Sequence, residues 1–391
     1  MSAVCTSTLP GSALYLHIPF CVRKCPYCDF YSLPLQNPVV PDTYVDALCV
    51  DIQRALPAGA SLRSVFIGGG TPSLLNLIQV ERIVAVLQEV VQLDPGLEFS
   101  MEVNPATVAS EWLEGVCALG VNRLSIGVQS FQDEALSVLG RTHTGADALR
   151  CIERARSAGF ININVDMMFA LPGVHDPGYK RAWMEADQHM LSRLIPEHVS
   201  VYGLTLEPGT PFGVQAQQGR LAESDEEEFR HQFIAWHQTL QALGYCHYEI
   251  SNYARAGWEC RHNLAYWQRR TCYACGASAH AFNAADWGVR SACAPDVGRY
   301  VTAVQRGEDP RHEVERFDAH GAMAEWVYLR LRTAHGVDAA AFHATFGVEF
   351  ARVYADAIRA CGPALHQAAG RWYFPPQEWL LYNHHVREFL S

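Results

Sequence analysis

Six β-rich runs alternate with helix-like segments through the first half of the chain, and this alternation limits the fold more than any other feature. The runs are ALYLHIPF (13–20), SVFIGGG (64–70), LEFSMEVNP (97–105), RLSIGVQS (123–130), ININVDMMFALPG (161–173) and HVSVYGLTLEP (198–208). The segments between them show helical apolar spacing, as in residues 74–93 and 147–159. Strands that alternate with helices form parallel sheets through right-handed crossovers. The pattern predicts an α/β fold with six (β/α) units, either a complete or a partial (β/α)6 barrel.

Residues that could take part in binding or catalysis lie at the carboxyl ends of the predicted strands. Cys21 follows the first run, GGGTP ends the second, Glu102 the third and Gln129 the fourth, and Asp166 lies in the fifth. The carboxyl ends of the strands in such a barrel form one mouth, where the chemistry of these folds takes place. We therefore expect these groups to share one site.

The strand and helix pattern changes after about residue 215. The acidic stretch ESDEEEF (223–229) opens a helix that we expect to reach about residue 243, with Ser224 and Glu227 as a capping box. Short helical segments follow beyond residue 310. We predict a barrel over 1–215, a helix and the segment that contains HNLAYW over 216–310, and a small C-terminal helical domain over 311–391.

Charge and hydropathy limit which partners and which cellular location we expect for the chain. The formal net charge is −11 and no dense Lys/Arg run is present, which argues against nucleic acid because phosphate binding needs a basic surface. No run reaches the roughly 18 apolar residues that a membrane span needs. The N-terminal residues lack the cationic start and long apolar region of a secretion signal. A cytoplasmic location is the expectation.

Three of the thirteen cysteines form a loop with metal-binding spacing, Cys21-x3-Cys25-x2-Cys28. Soft thiolates favour iron–sulfur clusters or zinc. A structural zinc needs a fourth ligand, and the nearby His17 could supply it or pack beneath the loop. An iron–sulfur cluster with an open coordination position, a zinc site and unrelated thiols are the alternatives. A second pair, Cys272-x2-Cys275, is expected to be two packed thiols.

The cysteine loop, YLHIPFCVRKCPYCDF, resembles the cluster loop of radical S-adenosylmethionine (SAM) proteins. Similar motifs follow in the family's order over residues 13–385: VFIGGGTPSLL, EVNP, GVNRLSIGVQSF, LGRTH, NVDMMFALPG, SVYGLTLEPGTPF, YEISNYA and HNLAYW. The branch with these motifs includes oxygen-independent coproporphyrinogen III oxidases and heme chaperones of the HemW type. The chain is most similar to the HemW type.

The resemblance implies a 4Fe–4S cluster on Cys21, Cys25 and Cys28, with one iron left to bind the amino and carboxylate groups of SAM. An electron from the reduced cluster, supplied by a reductant such as flavodoxin or ferredoxin, can then cleave SAM to a 5′-deoxyadenosyl radical. The cofactors carry this chemistry, and the protein positions them.

The resemblance also implies a set of SAM contacts. They are Tyr15, Gly69, Gly70, Thr71, Glu102, Gln129, Arg141 and Asp166. Glycines permit close backbone approach, and Arg141 offers a cation suited to the ligand carboxylate. Glu102 can accept hydrogen bonds from ribose hydroxyls or the ligand ammonium. Each of these residues also has a purely structural alternative. The glycines could form a tight turn, and Glu102 could be a surface-loop carboxylate. Arg141 could form a structural ion pair, and Tyr15 could be a core aromatic.

Two functions of different class fit this branch: radical decarboxylation of coproporphyrinogen III, and carriage of heme. The cysteine loop of the oxidases has the pattern C-x3-C-x2-C-x-C. In this chain Phe30 occupies the position of the fourth cysteine. HNLAYW (262–267) resembles the HNxxYW signature of the chaperones, which implies His262 as an axial heme ligand and Tyr266 and Trp267 as flat contacts. Packing of these aromatics at a domain junction is the alternative. A heme-ring-opening methyltransferase of the same superfamily is a third function.

We therefore predict a heme chaperone that binds heme, a 4Fe–4S cluster and SAM and delivers heme to respiratory hemoproteins, with the oxidase as the alternative. A homodimer and peripheral contact with a membrane are family-level expectations. The chain departs from the family's glycines at Ala170, Ala274 and Ser278, and from a common Gln-Thr pair at Val174-His175. These departures put the packing around adenine in question.

Overall fold

The computed structural model describes residues 11–173 and 177–390. Within them the strands are β1 (Ser12–Ile18), β2 (Phe20–Cys21), β3 (Leu33–Pro34), β4 (Ser61–Gly69), β5 (Gln92–Val103), β6 (Arg123–Gln129), β7 (Ile163–Phe169), β8 (His198–Gly203), β9 (Cys246–Glu249), β10 (Asn252–Ala254), β11 (Cys272–Cys275), β12 (His280–Asn283), β13 (Val289–Cys293), β14 (Arg311–Arg316), β15 (Val337–Asp338), β16 (His366–Ala368) and β17 (Arg371–Tyr373). The α-helices are α1 (Asp42–Ala55), α2 (Leu77–Val90), α3 (Ser110–Ala118), α4 (Asp133–Val138), α5 (Gly145–Ser157), α6 (Pro177–Leu194), α7 (Pro211–Gln217), α8 (Glu226–Ala242), α9 (Arg261–Trp267), α10 (Val297–Gln305), α11 (Ala319–Leu331), α12 (Ala339–Phe346), α13 (Phe350–Val353), α14 (Ala355–Cys361) and α15 (Tyr382–Val386).

Six parallel strands form the centre of one large sheet in chain order, β1-β4-β5-β6-β7-β8. Helices α1 to α6 connect them in sequence, which confirms the predicted (β/α) arrangement. The sheet continues past β1 through β11, which is parallel to it, and then through the antiparallel β12, β13 and β14. At the other edge β10 and β9 pair antiparallel to β8 and to each other. The result is an open mixed sheet with a curved parallel core.

Period-2 alternation gives the parallel strands two different faces. One face is apolar, buried and covered by the helices; on β6 and β7 it includes Leu124, Ile126 and Val165. The other face carries polar side chains, such as Asn164 and Asp166 of β7. An apolar outer face and a polar inner face place chemistry inside the sheet's concavity.

The start of α8 differs from the predicted capping box at Ser224 and Glu227. Asp225 is the N-cap, and its side chain accepts the Glu228 N–H at 2.9 Å. Ser224 instead accepts a hydrogen bond from Lys180 at 3.3 Å. The shift of one residue buries Glu228, whose carboxylate accepts a hydrogen bond from Gln232 at 2.7 Å. The capping-box prediction is wrong because Asp225, one residue after Ser224, caps the helix through the Glu228 N–H.

The C-terminal region is mostly helical, as predicted. Helices α11 to α15 surround a small three-stranded sheet, β15-β17-β16. Its core is aromatic and includes Phe342, Phe350 and Phe389, all fully buried. No helix in the described ranges is long and apolar enough to cross a membrane.

Two departures from the family's glycines adopt left-handed backbone conformations. Ala170 has φ of 59° and Ser278 has φ of 67°. Glycine adopts this conformation without steric cost, whereas other residues are strained in it. Val174 and His175 lie outside the described residues.

Candidate functional site

The cysteine loop begins where the first parallel strand ends. Cys21 is buried at the end of β2, and Cys25 and Cys28 are half-buried. The loop is closed by short parallel pairing of β2 with β3, through the Leu33 N–H to the Pro19 carbonyl at 2.9 Å. This closure holds all three thiols at the mouth of the sheet's concavity.

A guanidinium lies against the cysteine loop. Arg141 donates to the Cys25 sulfur at 3.4 Å and to the Gly127 carbonyl at 2.9 Å, and its Nε is buried without a partner. A positive group beside a thiol favours the thiolate that a metal cluster requires. Burial, by contrast, raises the pKa of the Cys28 thiol.

Within the ranges that the structure describes, no group of three His, Cys, Asp or Glu side chains surrounds a position for one metal ion. A 4Fe–4S cluster has four irons, and each cysteine thiolate binds a different one.

His17 packs beneath the cysteine loop. Its Nδ1 lies 2.9 Å from the Tyr15 hydroxyl and its Nε2 lies 3.0 Å from the Tyr31 carbonyl. Both ring nitrogens therefore have partners, which favours the packing role over that of a fourth metal ligand.

The glycine segment after β4 packs directly on the base of the cysteine loop. A Cβ on Gly70 would lie 2.6 Å from the Phe20 carbonyl oxygen, closer than real Cβ atoms approach backbone. Gly69 has φ of 118°, and its N–H donates to a Glu102 carboxylate oxygen at 3.0 Å. Thr71 follows and is buried. The glycines therefore bring Glu102 and the cysteine loop together.

A cavity of about 290 Å³ fills the concave face of the parallel strands. It brings together three of the predicted SAM contacts, Tyr15, Glu102 and Asp166, with His262 and Tyr266 of the HNxxYW segment. Its lining also includes Phe30, Phe66, Arg123, Ser125, Asn164, Ser200, Tyr202 and Asn263.

Two carboxyl groups in this cavity hold their protons more tightly than usual. Burial raises the pKa of Glu102 to about 8, and the nearby Asp166 carboxylate adds to this. Burial also raises the pKa of Asp166, although it accepts hydrogen bonds from Asn164 at 2.8 Å and Ser125 at 3.2 Å. An incoming ammonium or sulfonium group would stabilise the ionised carboxylates.

Gln129 and Arg141 meet over Gly127, at the end of β6. A Cβ on Gly127 would lie 3.1 Å from the Gln129 side-chain nitrogen and 3.5 Å from the Arg141 guanidinium. Gln129 adopts φ of 68°, which turns the chain at this strand end. An amide and a partly unpartnered guanidinium side by side suit a carboxylate ligand.

The short helix α9 carries the HNxxYW residues and is anchored from β5. The Glu98 carboxylate accepts the N–H groups of Arg261 at 2.9 Å and His262 at 3.1 Å. His262 is 2% exposed; its Nδ1 lies 3.0 Å from the Ser64 hydroxyl and its Nε2 lies 3.1 Å from the Tyr266 hydroxyl. Burial, together with Arg123, lowers the pKa of His262 to about 3. The imidazole is neutral and enclosed.

Trp267 faces away from the cavity lining. The Arg332 guanidinium lies 4.7 Å from its ring centre, at the C-terminal end of α11. The structure therefore divides the residues predicted to contact heme. His262 and Tyr266 line the cavity, and Trp267 packs at the junction with the C-terminal region.

Sequence reasoning missed Arg123, which is 1% exposed and lines the cavity. Its Nε is buried without a hydrogen-bond partner. A signal existed: polar residues at alternate positions of apolar strands, as in Arg123 and Ser125 or Ser200 and Tyr202.

Cys272 and Cys275 are buried thiols that point to opposite faces of β11. Cys272 packs with Ala13 and Tyr266, and burial raises its pKa to about 12. Burial also raises the pKa of Cys275, and the nearby Asp51 carboxylate adds to this. They are packed thiols, as expected.

Comparison with known proteins identifies the family to which the chain belongs. Residues 15–179 match the radical SAM superfamily and residues 317–381 match the HemN C-terminal domain. A Bacillus subtilis protein named heme chaperone HemW is 32% identical over 382 residues, which cover 96% of this chain and 98% of that protein. The chain belongs to the HemW family of radical SAM proteins. An Escherichia coli HemW is 39% identical over 274 residues, 70% of each chain.

The fold of this HemW-family chain is also that of a solved structure. Coproporphyrinogen III oxidase (HemN) from Escherichia coli, described as a radical SAM enzyme, superposes with a TM-score of 0.82. The match covers 97% of this chain and 90% of HemN at 22% identity, and it shows the fold alone. Membership of the HemW family implies a 4Fe–4S cluster and SAM, and the donor set described above fits both.

Proposed function

We propose that this HemW-family protein is a heme chaperone that binds heme, a 4Fe–4S cluster and SAM and delivers heme to hemoproteins. One observation carries the proposal: 32% identity along 96% of this chain and 98% of a relative named heme chaperone HemW. Phe30, at the position of the oxidases' fourth cysteine, supports the carrier over the oxidase.

In this proposal Cys21, Cys25 and Cys28 hold the cluster. The Arg141 guanidinium, 3.4 Å from the Cys25 sulfur, stabilises negative charge there. When bound and reduced, the cluster supplies the electron that cleaves the sulfonium of SAM. A small reductant protein such as flavodoxin or ferredoxin would deliver that electron.

The remaining residues bind and orient SAM. Arg141 and Gln129 would hold its carboxylate, while Glu102 and Asp166 would accept hydrogen bonds from its amino group and ribose hydroxyls. Gly69, Gly70 and Thr71 bring the backbone close to the cysteine loop, and Tyr15 covers one side of the cavity.

Binding of heme iron by His262, which the HNxxYW resemblance implies, would carry an energetic cost. His262 has a partner on each ring nitrogen, so iron ligation would require it to leave Ser64 or Tyr266. Loss of a buried hydrogen bond costs about 1–3 kcal/mol. This cost favours heme contact away from the His262 imidazole.

The test is a set of assays on anaerobically reconstituted protein. Hemin should produce a saturable Soret change, and the loaded protein should pass heme to an apo-hemoprotein. Coproporphyrinogen III with SAM and a reductant should stay unconverted. Formation of protoporphyrinogen would favour the oxidase, and loss of porphyrin absorption with heme and SAM would favour the ring-opening methyltransferase.

A further inference from the structure

The cavity is small for two large ligands. Its volume is about 290 Å³, close to the lower end of the roughly 300–1,000 Å³ of pockets that enclose one drug-sized ligand. Three of the predicted SAM contacts, Tyr15, Glu102 and Asp166, already line it. We therefore expect a porphyrin that binds together with SAM to use the open mouth of the cavity.

Two aromatic side chains of the cavity lining have open faces. Phe30 is 69% exposed and Tyr202, at the C-terminal end of β8, is 40% exposed. Within the described part of the chain, neither ring stacks on another aromatic ring. The inner rings differ: the His262 centroid lies 5.1 Å from that of Phe66 and 5.0 Å from that of Tyr266. The exposed Phe30 ring lies at the mouth. The Tyr202 ring has one open side, while its hydroxyl reaches into the cavity toward Ser200 and Asp166. The packed rings form the inner wall.

The cysteine loop, which leads along the chain to Phe30, carries positive charge. Arg23 and Lys24 lie in the loop, and in the described ranges neither is paired with a carboxylate. Asp29 is the one acidic residue between Cys21 and Phe30. The chain has a net charge of −11, so two such cations in the loop that leads to an exposed aromatic ring are notable. Heme has a flat apolar ring and two propionate groups, and this combination of ring and positive charge complements it.

We propose that heme docks at the mouth of the cavity, with its ring against Phe30 and Tyr202 and its propionates toward Arg23 and Lys24. His262 then belongs to the inner wall of the cavity and does not ligate heme iron. This inference rests on the proposed heme-chaperone function and assigns its binding surface. Recognition uses the ring face and the carboxylates, so it does not depend on the iron.

Hemin titration of the reconstituted full chain tests the surface. Phe30→Ala and Tyr202→Ala should each weaken hemin binding about tenfold, because a tenfold change in Kd corresponds to the loss of about 1.4 kcal/mol, which is within the range of one aromatic contact. Ile161→Ala is the matched control: it is 70% exposed but precedes β7, at the opposite end of the strands. It should bind hemin as the unmodified protein does.

Charge and iron are tested separately. The double variant Arg23→Gln, Lys24→Gln should weaken hemin binding, while Arg306→Gln, exposed and outside the cavity lining, should not. Hemin dimethyl ester, which lacks free propionates, should bind more weakly than hemin. Metal-free protoporphyrin IX should compete with hemin, and His262→Ala should retain hemin binding.

The opposite pattern overturns the inference. Retained hemin affinity in Phe30→Ala and Tyr202→Ala with loss in His262→Ala would place heme on the HNxxYW helix. Loss of SAM affinity alone in the two ring variants would assign the rings to adenine. Iron and SAM contents, measured in parallel, separate these outcomes from misfolding. Absence of hemin binding by the unmodified chain would instead overturn the proposed function itself.

Discussion

Glu102 shows how one buried side chain links ligand binding to pH. Its pKa of about 8 results mainly from burial and next from the Asp166 carboxylate, against the Gly69 N–H and Arg123. In the free protein the carboxyl group is therefore protonated at neutral pH. A bound cation favours the ionised form, so SAM must displace this proton below about pH 8.

We expect SAM affinity to rise with pH, by up to about tenfold per pH unit below about pH 8, and to level off above it. Glu102→Gln should bind SAM more weakly and lack this component of the slope. Calorimetric titration across this range, in buffers of different ionisation enthalpy, measures both the affinity and the protons released. Titration of SAM itself persists in Glu102→Gln, which makes that variant the control. Equal slopes in the two proteins would contradict the role of Glu102.

Gly70 is a position where one methyl group should matter. The Cβ of Gly70→Ala would meet the Phe20 carbonyl at 2.6 Å, so the cysteine loop must shift. We expect lower iron and sulfide content after reconstitution, and a loss of about 1–3 kcal/mol in unfolding free energy. Gly298→Ala in α10 is the control, because its nearest contact is 3.4 Å. Full cluster loading in Gly70→Ala would show that the loop tolerates the shift.

At the scale of elements, α9 is a short helix whose position depends on a strand far away in the chain. Glu98 of β5 accepts the N–H groups of Arg261 and His262. Glu98→Ala should lower the unfolding free energy by about 1–3 kcal/mol and weaken SAM binding, because α9 carries His262 and Tyr266 into the cavity. Asp225→Ala removes the N-cap of α8 and should cost stability without weakening SAM binding. Urea unfolding and SAM titration of both variants give the comparison.

The strands and their order were predictable because local alternation of apolar runs and helices determines them. It was also predictable that Glu102 and the cysteine loop lie at the same end of the sheet, because the carboxyl ends of parallel strands share one mouth. The anchoring of α9 was not: Glu98 and His262 are 164 residues apart, and nothing in either local pattern indicates the contact. The enclosure of His262 by Ser64 and Tyr266 depends on that same long-range placement.

For the whole molecule, the question is what holds the C-terminal region to the large sheet. Glu325 of α11 is 2% exposed and pairs with Arg269, which follows α9, and with Arg290 of β13. The Arg269 guanidinium also lies 4.8 Å from the ring centre of Phe282 and 4.9 Å from that of Phe317. One carboxylate therefore joins the helical region, the sheet extension and the segment after the HNxxYW helix.

Glu325→Ala should be strongly destabilising, by about 3–5 kcal/mol, because it leaves the buried Arg269 guanidinium without its carboxylate partner. Arg290 is partly exposed and keeps its pair with Glu315. Glu313→Ala is the matched control: its pair with Arg316 lies on the surface and spans three residues, so its loss should change the unfolding free energy little. Urea unfolding measures the difference, and limited proteolysis should release the C-terminal region sooner in Glu325→Ala. Equal unfolding midpoints in the two variants would show that aromatic packing, and not this ion pair, joins the two parts of the molecule.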